Sequence, residues 1–189
     1  MPQLHDGYLT GQCLVAMPGM GDPRFEETVI YLCAHTAEGA MGLVINRGLD
    51  DITFPSIVEQ LGIEPTPLCD QVMVQFGGPV ETARGFVLHS QDYVNDGTMV
   101  VEDGVALTAT LEVLRAIASG IGPRAKLMTL GYAGWGAGQL DGEMKDNVWL
   151  TVPSDADLLF GMALEERYDA ALGRIGISRG VLSEAAGHA

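Results

Sequence analysis

The chain has 189 residues, a formal net charge of −15, an apolar fraction of 47% and a mean hydropathy of +0.19. This length predicts a single domain, residues 1–189, with room for a substantial core, and the apolar content excludes a disordered chain. Apolar runs stay below the roughly 18 residues that span a bilayer, and the first residues lack the basic and apolar regions of a secretory signal.

Charge and cysteine content limit which partners and which cellular compartment are expected. Ten basic residues are scattered among 25 acidic ones, and only Arg124 and Lys126 lie close together in sequence. Because nucleic-acid surfaces need clustered Lys and Arg, direct DNA binding is disfavoured. Three cysteines, an odd number without paired spacing, indicate a reducing compartment. We therefore expect a cytoplasmic protein without membrane contact.

The first third of the chain has the pattern of strands. Residues 11–17 and 28–34 are apolar or β-branched runs, and residues 18–23 separate them with proline and glycine. Residues 40–46 form another apolar run after a turn at 35–39. Two strands joined by so short a turn predict an antiparallel hairpin.

The middle of the chain contains both helical and strand patterns. Residues 53–61 place Ile57, Val58 and Leu61 on one helical face, with Pro55 in the first turn. A loop at 64–70 and strands at 71–76, 85–90 and 98–102 follow. Residues 108–119 form the clearest helix, with Thr108 as the expected N-cap and Gly120 as the C-terminal glycine.

The last third begins with a strand at 126–130 and then a glycine-rich stretch, residues 130–140, which we expect to be a loop. A helix at 139–145, a strand at 147–152 and a helical region from Ser154 to Ile175 follow. The tail from about residue 178 has weak patterning and is predicted to be partly mobile. This order predicts an α+β fold, a mixed and mostly antiparallel β-sheet packed against several helices.

Several motifs together resemble one family. They are GQCLVAMP at 11–18, DPRF at 22–25, TVIYL at 28–32, GAMGLVINR at 39–47, GGPV at 77–80, GFVLHS at 85–90, the glycine-rich stretch and NVWL at 147–150. In this order they resemble the AlgH/YqgE family of bacterial proteins, from about residue 7 to 175. The resemblance implies a compact single-domain α+β fold in the bacterial cytoplasm, with no established enzymatic activity. Some members carry the label of transcriptional regulator, which describes a genetic effect.

Two positions depart from the family pattern. Glu27 stands where relatives often carry a basic residue, and Gly48 follows Arg47 where proline is common. Both departures weaken any function that depends on positive charge near these turns.

The glycine-rich stretch has two interpretations. A strand, a glycine turn and a helix N-terminus can bind an anion through unpaired backbone N–H groups. However, the stretch lacks the G-x-G-x-x-G spacing and the Walker lysine. The favoured interpretation is structural: the glycines allow Tyr132 and Trp135 to fold back onto the sheet.

The histidines and cysteines carry no complete catalytic motif. His35 and His89 each precede a hydroxyl residue, but no nucleophile elbow appears, and their spacing is poor for zinc. Cys13 and Cys33 lie in apolar strands and Cys69 lies beside Asp70, so none resembles a redox centre. We predict no catalytic residue, no metal ligand and no cofactor, and an enzyme is the less favoured interpretation.

Two function classes remain. The favoured one is a regulatory protein acting through a protein partner or a small, anionic ligand. In its support, the loop at 17–25 contains two methionines and Phe25, apolar side chains that suit a protein partner if they are exposed. The alternative is a small-molecule protein or enzyme with a site at the strand-end rim near the glycine-rich stretch. The residues expected to bind the ligand there are Arg24, Asn46, Arg47, His89, Tyr132, Trp135 and Gln139.

Overall fold

The structure is a computed structural model that describes residues 8–18, 22–102 and 104–182. The chain divides into two compact units. Unit 1 comprises Met1–Asn46 and Ala133–Ala189, and unit 2 comprises Arg47–Tyr132. Strands and helices occur in both units, and all but one of the strand pairs are antiparallel. The predicted α+β class with a mostly antiparallel sheet is confirmed, while the domain bounds 1–189 stay a prediction.

The strands of the described residues range in length from three to eleven residues. In chain order they are β1 Gln12–Ala16, β2 Val29–Thr36, β3 Gly39–Val44, β4 Val74–Phe76, β5 Val80–Ser90, β6 Thr98–Glu102, β7 Val105–Thr108, β8 Lys126–Trp135 and β9 Trp149–Pro153. Strand β8 passes from unit 2 into unit 1 after Tyr132.

The α-helices are short, and local sequence sets their ends. They are α1 Phe54–Gln60, α2 Leu111–Ser119, α3 Gln139–Lys145 and α4 Arg167–Gly173. Helix α1 begins with a reciprocal capping box between Thr53 and Ser56, and Pro55 occupies its first turn. Helix α2 ends at Gly120, whose φ of 82° is the left-handed conformation that glycine adopts at least cost.

Unit 1 is an antiparallel sheet with helices α3 and α4 against it. Strand β2 pairs with β1 and β3, β1 also pairs with β9, and β3 pairs with the last residues of β8. The predicted hairpin of the second and third strands is confirmed. The core is built from aliphatic side chains of the strands and two indoles: Leu14, Ala16, Ile30, Leu32, Val44, Ala133, Trp135, Leu140 and Trp149.

Unit 2 carries helices α1 and α2 on one face of its sheet. Strand β5 lies between β7 and β8, β6 pairs with β7, and β4 pairs in parallel with β8. The core joins this sheet face to the two helices: Phe54, Val58, Ile63, Cys69, Val74, Val87, Val113, Leu114, Ile117, Ala118, Met128 and Leu130.

Two predictions at element boundaries were wrong. The first half of the glycine-rich stretch is not a loop, because β8 continues through it to Trp135 and pairs with β3. Thr108 does not cap α2, because it ends strand β7, which the sequence analysis did not predict, and Thr110 occupies the N-cap position. In both cases backbone pairing with a neighbouring strand overrides a local preference for a turn or a cap.

The C-terminal helical region is more broken than its pattern predicts. A π-helical turn at Asp157–Gly161 and a 3-10 turn at Leu164–Glu166 precede α4. Residues 179–182 of the predicted mobile tail form a helical turn with Leu182 buried, and residues 183–189 lie outside the described residues, as does Met20. Within the described residues, no helix combines the length and apolarity needed to cross a bilayer.

Candidate functional site

The predicted ligand-binding residues divide between the two units. Unit 1 holds Arg24, Asn46, Trp135 and Gln139, and unit 2 holds Arg47, His89 and Tyr132.

Arg24 and Asn46 of unit 1 both hold neighbouring backbone in place. The Arg24 guanidinium forms a fork with the Asp22 carboxylate, with an Nη2 to Oδ2 distance of 2.7 Å, and this ion pair raises the pKa of Arg24 and lowers that of Asp22. The Asn46 side chain accepts from the Val29 N–H at 2.9 Å and donates to the Glu27 carbonyl at 2.9 Å. Both side chains thus already have partners from the chain itself.

Trp135 and Gln139 meet at one carboxylate. Glu143 Oε1 accepts from the indole N–H of Trp135 at 3.2 Å and from that of Trp149 at 2.9 Å. Its other oxygen accepts from Gln139 Nε2 at 3.1 Å, and Gln139 Oε1 accepts from the Gly136 N–H at 3.0 Å. The glycine-rich stretch is therefore tied to α3 by side-chain hydrogen bonds, which favours its structural interpretation.

His35, also in unit 1, is engaged at both ring nitrogens. Its Nδ1 lies 3.0 Å from the Leu9 N–H, which it accepts, so the neutral ring carries its proton on Nε2. That nitrogen lies 3.2 Å from Asp141 Oδ1. A catalytic base needs its unprotonated ring nitrogen to face a nucleophile, and in His35 that nitrogen, Nδ1, faces the backbone N–H of Leu9.

His89 of unit 2 is buried and takes part in a directed chain of hydrogen bonds. Its Nδ1 donates to the Ser90 carbonyl at 2.8 Å, so Nε2 of the neutral ring accepts from the Thr108 hydroxyl at 2.7 Å. Thr108 then accepts from Thr98 at 2.9 Å, and Thr98 accepts from the Asn95 N–H at 3.1 Å. Burial lowers the pKa of His89, which keeps the ring neutral.

Arg47 and Tyr132 lie elsewhere in unit 2. The Tyr132 ring meets the Phe86 ring edge-on, with centroids 5.7 Å apart. His89 is three residues from Phe86 along β5, so its side chain points to the opposite face of that strand. The Arg47 carbonyl accepts from the Phe76 N–H at 2.9 Å. Within unit 2, His89 and Tyr132 therefore do not share a site.

The structure shows a different candidate site in unit 2, a cavity of about 780 Å³. This volume falls within the range of about 300–1,000 Å³ typical of small-molecule sites. Its walls come from α1, α2, the start of β5, the β7–α2 junction and β8. We name this space the α1–α2 cavity.

An irregularity in strand β5 opens the α1–α2 cavity. Val80 pairs with Tyr132 and Gly85 pairs with Leu130, so five residues of β5 advance while β8 advances by two. Four residues, 81–84, therefore lie opposite the single residue Gly131, and three of them, Thr82, Ala83 and Arg84, line the cavity. Glu81, the first of the four, has a φ of 47°. A bulge of this kind bends a strand away from its neighbour.

The lining of the α1–α2 cavity is mostly apolar. Its apolar side chains are Ile52, Ile57, Leu61, Ala83, Val87, Ala109, Leu111, Val113, Leu114, Met128 and Leu130. The charged lining residues are Asp51, which is exposed, and Arg84. The Arg84 guanidinium lies 5.1 Å from the Phe86 ring centroid and 3.6 Å from Glu81, and Phe86 is on the face of β5 opposite to the cavity.

One polar group in the lining has no partner. The hydroxyl oxygen of Thr110 is buried and makes no hydrogen bond, although Thr110 occupies the N-cap position of α2. The other buried threonine of the lining, Thr108, is bonded to His89 and Thr98. A buried hydroxyl without a partner is uncommon and costs stability, and the Thr110 side chain packs against Gly97.

The sequence analysis missed this site for a physical reason. The cavity depends on the register between β5 and β8, which no local pattern specifies. The signals that were available are Thr110, a cap residue two positions after Thr108, and Gly85 between the exposed residues 81–84 and the buried part of β5. In the described ranges, no group of three or more His, Cys, Asp and Glu side chains could hold a metal ion.

Comparison with known proteins gives consistent matches. A family model described as AlgH-like matches residues 13–180. A UPF0301 protein of Rhodospirillum rubrum is 72% identical over 187 residues, covering 99% of this chain and 97% of the relative. The solution structure of the AlgH protein from Pseudomonas aeruginosa is 44% identical with a TM-score of 0.83, and the match covers 100% of both chains. A crystal structure from Corynebacterium diphtheriae, at 17% identity and a TM-score of 0.69 over 87% of this chain and 85% of that one, shares the fold.

Proposed function

The chain belongs to the AlgH-like family, which confirms the resemblance in its motifs, and we propose that it is a regulatory protein that binds a small molecule. The observation that carries the proposal is the α1–α2 cavity of unit 2, with its apolar walls and the exposed polar residues Asp51 and Arg84 in its lining. Small-molecule sites combine these features: an apolar surface for affinity and a few polar groups for orientation.

The state of the histidines and cysteines supports binding over catalysis. Both ring nitrogens of His35 and of His89 are engaged. His35 contacts a backbone N–H and Asp141, and His89 contacts a backbone carbonyl and the Thr108 hydroxyl, which is itself buried and bonded to Thr98. The cysteines are buried, and burial raises the pKa of the Cys33 thiol to about 12, so the reactive thiolate is disfavoured.

Charge supports an action that does not involve reading DNA directly. Arg24, Arg84, Arg174 and Arg179 each lie within 4.0 Å of a carboxylate, and Arg167 is buried. These ion pairs reduce the positive charge that could meet phosphates, on a chain whose net charge is −15. A regulatory effect through a bound ligand needs no such contact.

A thermal-shift screen with a blocking variant tests the proposal. Ala109 is exposed and lines the α1–α2 cavity, so Ala109→Trp fills the cavity without disturbing the core. We expect at least one class among nucleotides, sugar phosphates, amino acids, carboxylic acids and neutral aromatics to stabilise the wild type. A ligand at one hundred times its Kd raises the free energy of unfolding by about 2.7 kcal/mol.

The matched control is Ala37→Trp, which adds the same side chain at an exposed turn of unit 1. We expect Ala109→Trp to lose the ligand response and Ala37→Trp to keep it. A flat response across the whole panel, or a response that Ala109→Trp leaves intact, would contradict the proposal.

A second candidate function is the binding of a protein partner along β6. This strand ends the unit 2 sheet and pairs with β7 on one side, and Met99 and Val100 are 43% and 47% exposed. Exposed edges of this kind accept an added strand. Val100→Lys is expected to abolish capture of such a partner, while leaving any ligand response of the α1–α2 cavity unchanged.

A further inference from the structure

The arrangement of polar and apolar side chains around the α1–α2 cavity indicates which chemical class of ligand it takes, an inference that rests on the proposed function. We infer that the ligand is a free, single-chain amphiphile. Its aliphatic chain lies inside the cavity, and its polar head group stays hydrated at the mouth, which is the part of the lining made by exposed residues.

The interior of the cavity is apolar. Its buried lining residues are Val87, Thr108, Val113, Leu114, Met128 and Leu130. The one polar member, Thr108, donates its hydroxyl proton to His89 and accepts from Thr98. The half-buried Thr110 packs against Gly97. Burying aliphatic ligand surface here is favourable in proportion to its area, whereas a polar ligand group would lose water without gaining a partner.

The shape of the cavity suits an elongated chain. Asp51 and Leu61, which both line the cavity, flank helix α1, so the cavity extends along the whole helix. Seven helical residues rise by about 10 Å. In the wall, a Cβ on Gly85 would lie 2.6 Å from the ε-methyl group of Met128, so the glycine leaves room for the end of this side chain. The unbranched thioether of methionine adapts to the irregular surface of a flexible ligand.

Polar side chains of the lining are gathered at the mouth. The exposed ones are Asp51, Ser56, Gln60, Thr82 and Arg84. Asp51 and Arg84 bring charges of both signs, and the Arg84 guanidinium already lies 3.6 Å from the Glu81 carboxylate. Exposed ion pairs contribute little in water, so a head group of either charge gains little affinity there. The aliphatic chain, rather than the head group, therefore sets the affinity.

A free amphiphile and a membrane lipid share this chemistry, and charge favours the free molecule. The protein carries a formal net charge of −15. An anionic membrane surface attracts basic segments and repels a protein of this charge. The ligand is therefore taken from solution.

The test is calorimetric titration of the full chain with probes kept below their micelle concentrations. Hexanoate, octanoate and decanoate vary the length of the aliphatic chain. Heptan-1-ol and heptylammonium keep the seven-carbon chain of octanoate and change the head group. Octanedioate replaces the terminal methyl group of octanoate with a second carboxylate. Ala109→Trp blocks the cavity, and the exposed Ala37→Trp is its control.

Affinity should rise about fourfold with each methylene group from hexanoate to decanoate, the gain from burying one such group. Octanedioate should bind at least about tenfold more weakly than octanoate, because a charge would have to enter the apolar interior. Octanoate, heptan-1-ol and heptylammonium should agree within about fivefold, and Arg84→Ala should change the affinity for octanoate by less than about threefold. Ala109→Trp should abolish the binding of every probe, and Ala37→Trp should leave it intact.

Three results would overturn the inference. Octanedioate binding as tightly as octanoate would mean that no apolar end enters the cavity. A loss of octanoate affinity of about tenfold or more in Arg84→Ala would mean that the head group forms a buried ion pair. Binding to phosphatidylglycerol vesicles that Ala109→Trp abolishes, without binding of the free probes, would identify a membrane lipid as the ligand.

Failure of the inference is distinguishable from failure of the proposed function. If none of the free probes binds the wild type, the inference is refuted. The proposed function still stands if another compound of the thermal-shift panel stabilises the wild type and not Ala109→Trp. It fails with the inference if that whole panel also gives a flat response.

Discussion

Replacing Glu143 with alanine should destabilise the protein by about 2–4 kcal/mol. The Glu143 carboxylate accepts hydrogen bonds from the indole N–H groups of Trp135 and Trp149, which are 8% and 3% exposed. Removing it leaves two largely buried donors without an acceptor, and each such donor costs about 1–3 kcal/mol. Partial access of water to Trp135 keeps the sum below the upper limit. The loss is a large share of a typical total stability of about 5–15 kcal/mol.

The assay is urea unfolding followed by tryptophan fluorescence. Trp135 and Trp149 are the two tryptophans of the chain, so the signal reports on this cluster alone. Glu143→Gln keeps an acceptor oxygen and should cost about 1 kcal/mol, and the exposed Lys145→Ala in the same helix should cost less than about 0.5 kcal/mol. A Glu143→Ala variant within 0.5 kcal/mol of the wild type would refute this account of how the glycine-rich stretch is held.

The remaining predictions concern the backbone and pH. Gly131 has a φ of 77°, and a methyl group there would overlap a backbone carbonyl. Gly131→Ala should therefore lower the free energy of unfolding, measured in urea, by more than about 2 kcal/mol. The control Gly142→Ala, in open space on α3, should be neutral or stabilising. Burial lowers the pKa of His89 below the ordinary histidine value of about 6.5. The unfolded chain therefore binds more protons, so stability should fall as pH drops below about 6.5, and His89→Gln should flatten this slope. The ion pair with Arg174 lowers the pKa of Asp155 below the ordinary aspartate value of 3.8. Its contribution to stability is therefore present above that value and lost as pH falls through the lowered pKa. Asp155→Asn should cost about 0.5 kcal/mol near pH 7 after solvent screening, and nothing in strong acid.

Local chemistry in the sequence is enough to locate the helices. Helix α1 follows from Thr53 and Pro55, and α3 occupies the predicted residues 139–145. Caps and apolar faces with helical periodicity are local properties, so they can be recognised in the sequence without knowledge of the fold. Strand β6 was also predicted with its observed bounds, because Asn95 and Gly97 form the turn before it.

Features that depend on pairing between distant segments were not predictable. Glycines at 131, 134 and 136 indicate a loop, yet Gly134 pairs with Met41 and the strand continues to Trp135. Strand β7 is four residues long. It is too short for an alternation of apolar and polar residues to be recognised before α2 begins. The α1–α2 cavity arises from a register shift, and the predicted rim residues proved to be spread over both units.

The most direct test of the central claim is an NMR titration of the full chain with the compound that stabilises the wild type most in the thermal-shift screen. We expect saturable shifts confined to residues that line the α1–α2 cavity, such as Ile57, Val87, Leu114 and Met128, and no shifts in Ala109→Trp. Shifts confined to the unit 1 cluster around Trp135, or none at a ligand concentration that saturates a millimolar site, would contradict the assignment of the binding site to this cavity.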